Sequence, residues 1–111
     1  MRRAAAAIAL ALALGASPVP RDARERAYRA NNRGVALLEQ FNAQEAAAAF
    51  REALKLDPDL GLARVNLAIA LLNVPDAEGA ERESGAALGT KADSVQAHFV
   101  LGLALRTLAR A

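Results

Sequence analysis

Asn32–Pro58, NRGVALLEQFNAQEAAAAFREALKLDP, reads as two short helices laid antiparallel about a turn at Phe41-Asn42-Ala43. In the second helix Ala46, Ala49, Phe50, Ala53 and Leu54 recur at three- and four-residue spacing, the period of one helix face. Moving the frame by 34 residues from Gly34, Leu37, Ala46 and Ala53 lands on Ala68, Leu71, Ala80 and Ala87. A second step lands on Gly102 and Leu105, so three registers run in phase and mark an internal repeat. Gly34, Ala68 and Gly102 sit midway along the first helix of each unit, with Ala46 and Ala80 near the start of the second. Small side chains at both points let the backbones approach closely. Phe50 then fills the space beyond the crossing, and Leu37 covers it. One helical hairpin cannot bury its apolar face alone, so neighbouring units must stack.

Outward from this stretch the other helices follow from their breakers. Asp22 opens the folded part as a helix cap, with Glu25 completing a capping-box-like pair. That helix passes through Tyr28, Gly34 and Leu38 to about Gln40, and its partner runs from about Gln44 to Leu56. Asp57-Pro58-Asp59 stops the partner, since proline cannot continue a helix interior. The second pair is Leu60 to about Asn73 and Ala77 to Leu88, joined at Val74-Pro75-Asp76 with Asp76 as cap. Gly89 ends it. After a link at Lys91–Ser94, a last helix begins near Val95 and reaches nearly to Ala111.

Composition agrees with this reading. The chain has 111 residues and is 54% hydrophobic, yet only 4% aromatic. Alanine supplies half of that fraction, which favours closely packed helices over sheets. No β-alternation appears. With no cysteine, disulfide and thiolate chemistry are excluded. The 14 basic and 12 acidic residues suggest a nucleic-acid partner only until their placement is considered. Loss of Arg2 and Arg3 with a leader leaves 12 of each sign and no basic stripe, so no nucleic acid is expected as a partner.

The first twenty residues differ in kind. Met1-Arg2-Arg3 is a short positive start, Ala4–Leu14 is uninterruptedly apolar, and Gly15 and Ala16 offer a small-residue exit. That order is a secretory signal peptide, assigned to residues 1–16, with 17–21 as a proline-containing linker. The 11 apolar residues are too few to span a hydrocarbon core, which takes about 20. The expectation is an exported protein, periplasmic or extracellular, with no stable membrane anchor after cleavage.

The repeat resembles the tetratricopeptide repeat family in its small crossing residues, its large filler and the proline after the second helix. The likeness covers about Ala27 to Ala111. It implies an all-α fold of antiparallel helix-turn-helix repeats in a right-handed superhelix, within a domain at 22–111. Its units are about 27–60, 61–94 and an incomplete 95–111, two and a half repeats in all. Departures from the family pattern are Ala30, Arg33, Ser84 and Ala92. Ser84, where a large aromatic is usual, predicts a looser second unit. Many members end in an added solvating helix; its lack here suggests a fragment of a longer protein.

Family likeness also implies a function: a non-catalytic scaffold whose first helices line a concave groove for a peptide or a partner's helix. Groove spacings select Tyr28, Asn31, Val35 and Leu38; then Leu62, Val65, Ile69, Leu72 and Asn73; then Gln96, Phe99, Leu103 and Arg106, and Asn66 is added to the partner-binding candidates. Val35, Ile69 and Leu103 are equally explained as packing against neighbouring helices. Of the residues that clamp a C-terminal carboxylate in one subgroup, only Asn66 is present, so no clamp is expected. His98 takes a slot that normally holds a bulky packing residue and reads as partly buried. Asp57 and Asp59 read as turn formers rather than an acid/base pair. Glu78, Glu81 and Arg82 read as a solvated, locally paired face. No catalytic set, cofactor site or metal site is expected. The alternative function is the N-terminal domain of a larger exported protein, supporting a downstream domain. Val95–Ala111 carries more apolar residues than one side can bury, so self-association or fraying of this last helix is expected.

Overall fold

The computed structural model describes residues 19–90 and 94–110. The expected signal peptide and the Lys91–Asp93 link lie outside the described residues. Five helices follow one another: α1 (Arg21–Glu39), α2 (Ala43–Leu56), α3 (Gly61–Asn73), α4 (Ala77–Leu88) and α5 (Ser94–Ala109). No strand occurs among the described residues. The fold is an all-α helical repeat solenoid of two hairpins and one further helix. Each helix packs on the next; in addition α1 touches α3 and α3 touches α5, whereas α2 and α4 do not meet. First helices adjoin along one side and second helices stand apart on the other. That asymmetry makes the first-helix side the concave one.

α3 is the centre of the molecule, since it packs against all four other helices. Its sequence, GLARVNLAIALLN, is accordingly apolar nearly all round, with Ala63, Val65, Leu67, Ala68, Ala70 and Leu71 buried. Its polar residues on buried sides are partnered, as burial requires. Asn66 Nδ2 donates to Asn31 Oδ1 at 3.0 Å and ties α3 to α1. Arg64 Nη1 donates to Glu83 Oε2 at 2.9 Å, and its Nη2 to the Pro58 carbonyl at 3.1 Å. Both side chains of the ion pair are about three-quarters covered, unlike those of the exposed Arg33–Glu52 pair. Charge-assisted hydrogen bonds that are partly desolvated contribute roughly 1.5–3 kcal/mol. Arg64→Ala is therefore expected to lower stability by about 2 kcal/mol and Arg33→Ala by less than about 1 kcal/mol. Urea melts of the two variants check this; equal losses would contradict the difference in burial.

Several local readings need correction. Asp22 does not cap α1. Pro20 occupies the N-cap position at φ −55° and ψ 147°, with no side-chain cap bond, and its carbonyl accepts from Arg24 N–H at 3.1 Å. Proline already carries the fixed φ suited to that position. Glu25, the supposed second half of the box, instead accepts from Arg21 Nε at 3.1 Å. Glu78 and Arg82 form no ion pair among the described residues; the acidic partner used from α4 is Glu83, which faces Arg64. Asp76 does cap α4, its Oδ1 accepting from Gly79 N–H at 2.9 Å. Asp57 is a turn former as expected, with Oδ1 accepting from Asp59 N–H at 3.1 Å.

The crossing within the first hairpin is tighter than the repeat pattern alone implies. A Cβ placed on Gly34 would lie 2.4 Å from Phe50 Cε1 and 2.7 Å from Cδ1. Phe50 therefore does not sit beyond the crossing beside Ala46; its ring lies directly on the Gly34 backbone, with no exposed surface. In the second hairpin Ser84 is also fully buried, and its hydroxyl donates to the Ala80 carbonyl at 2.6 Å.

Candidate functional site

The concave side carries two hollows that share a wall. One, about 460 Å³, is lined by Leu38, Phe41, Ala43, Ile69 and Asn73. The other, about 380 Å³, is lined by Ile69, Leu72, Asn73, Gln96, Phe99, Val100 and Leu103. Ile69 and Asn73 belong to both, so the hollows form one groove crossing the C-terminal end of α1, then α3, then α5. Its floor is aliphatic, its polar groups are the amides of Asn73 and Gln96, and no charged residue lines either hollow. Asn73 Nδ2 donates to the Ile69 carbonyl at 3.0 Å, which holds the amide against its own helix.

The groove residues read from the sequence divide into three groups. Ile69, Leu72, Phe99 and Leu103 converge in the groove, with Leu38, Asn73 and Gln96 beside them. Asn31 and Val65 are closed off, 2% and 1% exposed, and offer no surface to a partner. Asn31 is the acceptor for Asn66, whose amide thereby serves the α1–α3 contact. Tyr28 lies elsewhere, in a polar hollow with Arg21, Arg24, Glu25, Asp57, Asp59 and Leu60. Leu62 is half exposed and lines none of these hollows, and Arg106 borders a further hollow on α5 with His98, Gly102 and the groove residues Phe99 and Leu103. His98 is exposed, not partly buried as expected, because no helix of the described residues lies over that side of α5.

Sequence reading missed Phe41. It was assigned to the turn, and it is 96% exposed at the groove's edge with φ at 60°. The local hydrogen bonds explain the backbone: Phe41 N–H donates to the Leu38 carbonyl at 3.0 Å and Asn42 N–H to Leu37 at 2.9 Å. These two bonds form a Schellman helix end, whose left-handed position normally takes glycine. A bulky residue there costs roughly 1–2 kcal/mol, and the cost is not offset by burial. The signal available in the sequence was the residue type, an aromatic where a turn favours glycine or asparagine. Of the four aromatic residues only Phe50 is buried; Tyr28, Phe41 and Phe99 are each at least half exposed. Phe41→Gly is expected to raise stability by about 1 kcal/mol while removing the groove's aromatic edge. A rise in melting temperature checks the first part, and an unchanged or lower one would mean that Phe41 packs after all.

Among the described residues no cluster of His, Cys, Asp or Glu is arranged to hold a metal ion. None of the helices there is long and apolar enough to cross a membrane. No curated protein and no solved structure matches the chain. Residues 27–60, from the first buried alanine of α1 to the turn before α3, match the family model of the tetratricopeptide repeat, and the chain is similar to proteins built from that repeat.

Proposed function

We propose that this chain is a non-catalytic assembly scaffold that holds a partner protein's peptide or helix in the concave groove. The observation that carries the reading is the pair of hollows fused through Ile69 and Asn73, aliphatic inside and bordered by two exposed aromatics, Phe41 and Phe99. Aromatic side chains that line a concave apolar surface are the usual anchors of protein recognition. The match of residues 27–60 to a repeat that generally mediates protein contacts supports the same conclusion. An uncharged floor favours apolar anchors on the partner, with Asn73 and Gln96 available for its backbone groups. The charged start, apolar run and small-residue exit of residues 1–16 support export, so the partner is sought in the periplasm or outside the cell.

The test is affinity capture from a periplasmic extract with the chain and with Asn73→Trp, a large side chain placed where both hollows meet. Asn73 is exposed, so folding is retained. A partner retained by the chain and depleted by Asn73→Trp supports the groove. Retention unaffected by this substitution moves the binding surface elsewhere. Export is checked separately by the intact mass of the soluble protein from its native host, which should lack Met1–Leu14.

A further inference from the structure

Of the two second helices, α4 is the more weakly held, and one of the groove's two hollows depends on it. α4 buries Gly79, Ala80, Ser84 and Ala87, none of them large, whereas α2 buries Phe50 among its alanines. Ser84 takes the place of Phe50 and bonds within its own helix, to the Ala80 and Glu81 carbonyls, so it ties α4 to no neighbour. Two glycines lie within the twelve residues of α4. Gly79 has a steric reason, since a Cβ there would strike the Asp76 carboxylate that caps the helix. Gly85 has none. A Cβ on it would meet nothing within 4 Å, and its φ is not positive. Its repeat counterpart Arg51 is exposed even though the following unit is in place, so Gly85 faces solvent by its position in the repeat. What glycine does at this point is weaken the helix, by a factor of about five relative to alanine.

α5 is in turn seated on α4. Its buried Ala104 shares a cluster with Ala80, and its buried Ala97 shares one with Ala87, flanked by Leu88 and Ile69. The hollow of Leu38, Phe41, Ala43, Ile69 and Asn73 uses no residue of α4 or α5, whereas its neighbour takes Gln96, Phe99, Val100 and Leu103 from α5. We propose that α4 and α5 open together as one unit ahead of the rest of the molecule, so that the groove has a permanent hollow at α1–α3 and a conditional one at α3–α5. Local stability follows the amount of apolar surface an element buries, and in a stacked array each helix depends on its immediate neighbours. With α4 unwound, Ala97 and Ala104 lose the alanines they pack on and the conditional hollow loses its α5 wall. The Phe50 ring and Gly34 beneath it belong to the first hairpin and stay in place. A partner seated against Phe99 and Leu103 binds the closed form alone, and its apparent affinity falls with the closed fraction. No α4 residue is among those lining that hollow, so such a partner holds α4 closed without touching it. This consequence for binding rests on the groove proposed above; the opening itself does not.

Hydrogen exchange of the intact chain, resolved by residue, tests the opening without any partner. The amides of Ala80–Leu88 in α4 and Val100–Ala104 in α5 should share one protection factor, roughly tenfold or more below that of Ala46–Ala53 in α2. Gly85→Ala should slow exchange in α4 and α5 by the same factor of about five and leave α2 unchanged. Gly102→Ala is the second variant, at an exposed position where a Cβ would also meet nothing within 4 Å. It should slow α4 as well as α5, because the two helices open together. Both variants add one methyl group in open space, so the fold is kept. Protection in α4 equal to that in α2 overturns the proposal. So does Gly102→Ala slowing α5 alone, which would mean that α5 frays independently. Gly85→Ala slowing all five helices alike overturns it too, since the opening would then be global. A groove that captures no partner changes none of these outcomes, so the two proposals fail separately.

Discussion

Phe50→Ala is expected to cost about 3–5 kcal/mol, enough to leave a domain of ordinary stability, about 5–15 kcal/mol, largely unfolded at modest denaturant. Phe50 is the largest side chain without exposed surface and shares its cluster with Ala46, Ala47, Leu67, Ala70, Leu71 and Ala80. Its loss removes both the transferred apolar area and the contacts of a core in which alanines predominate. Alanines have no side-chain rotamers with which to close the void, so relaxation is limited and the upper part of the range applies. The reciprocal change is Gly34→Ala. Helix propensity alone favours it by about 1 kcal/mol, but its Cβ would stand 2.4–2.8 Å from three ring carbons of a side chain that cannot move aside. The net is a loss of about 1–3 kcal/mol. In the double variant Gly34→Ala with Phe50→Leu the losses should be less than additive, because the two residues share one contact. Equilibrium urea unfolding of the four proteins measures the coupling. Strict additivity would show that the ring does not lie on Gly34 in solution.

The fold was legible because the 34-residue period is written in residues whose size is fixed by contact. Gly34, Ala68, Ala46, Ala80, Ala53 and Ala87 are all buried, and alanine and glycine at these points follow from backbones that nearly touch. Helix ends were legible where the stopping residue acts through its own chemistry, as with Asp76 and Pro58; Gly89 does stand at the end of α4, but at φ −80° it makes no use of glycine's left-handed freedom. They were misread where two residues compete for one role. Pro20 displaced Asp22 because a fixed φ with a free carbonyl begins a helix without a side-chain cap.

The groove was legible in part. Repeat position places a side chain on the concave side of α1, α3 or α5, and so Ile69, Leu72, Phe99 and Leu103 were found. Depth is set by which neighbour lies alongside, and periodicity carries no information on that. Asn31 and Val65 have groove spacing but are sealed by the α1–α3 and α3–α5 contacts of the central helix. Phe41 escaped for the converse reason. A turn residue has no helical phase, and only the backbone hydrogen bonds to Leu37 and Leu38 reveal that it stands at the groove's edge.

Ser84→Phe is expected to destabilise by about 3 kcal/mol or more, although it restores the side chain that the repeat pattern favours at that position. A loosely packed second unit would predict the opposite, a gain of roughly 1.5–3 kcal/mol from filling a void with an aromatic ring. The packing decides between them. Ser84 has no exposed surface, its hydroxyl is bonded to Ala80 and within 3.3 Å of the Glu81 carbonyl, and no buried side-chain polar atom among the described residues lacks a partner. Opposite it by repeat position stands Ala68, fully buried, where the first unit has Gly34. The first hairpin combines glycine with phenylalanine and the second alanine with serine, so each crossing is filled by a different division of the same space. A ring at Ser84 would therefore meet the Ala68 methyl, as an alanine at Gly34 would meet Phe50. Ala68→Gly should recover part of the loss in the double variant, since it recreates the first unit's pairing in the second. Thermal and urea unfolding of Ser84→Phe, Ala68→Gly and the pair tests this directly. A stabilised single Ser84→Phe variant would mean that the second crossing holds unfilled space and that the two hairpins are packed by different rules.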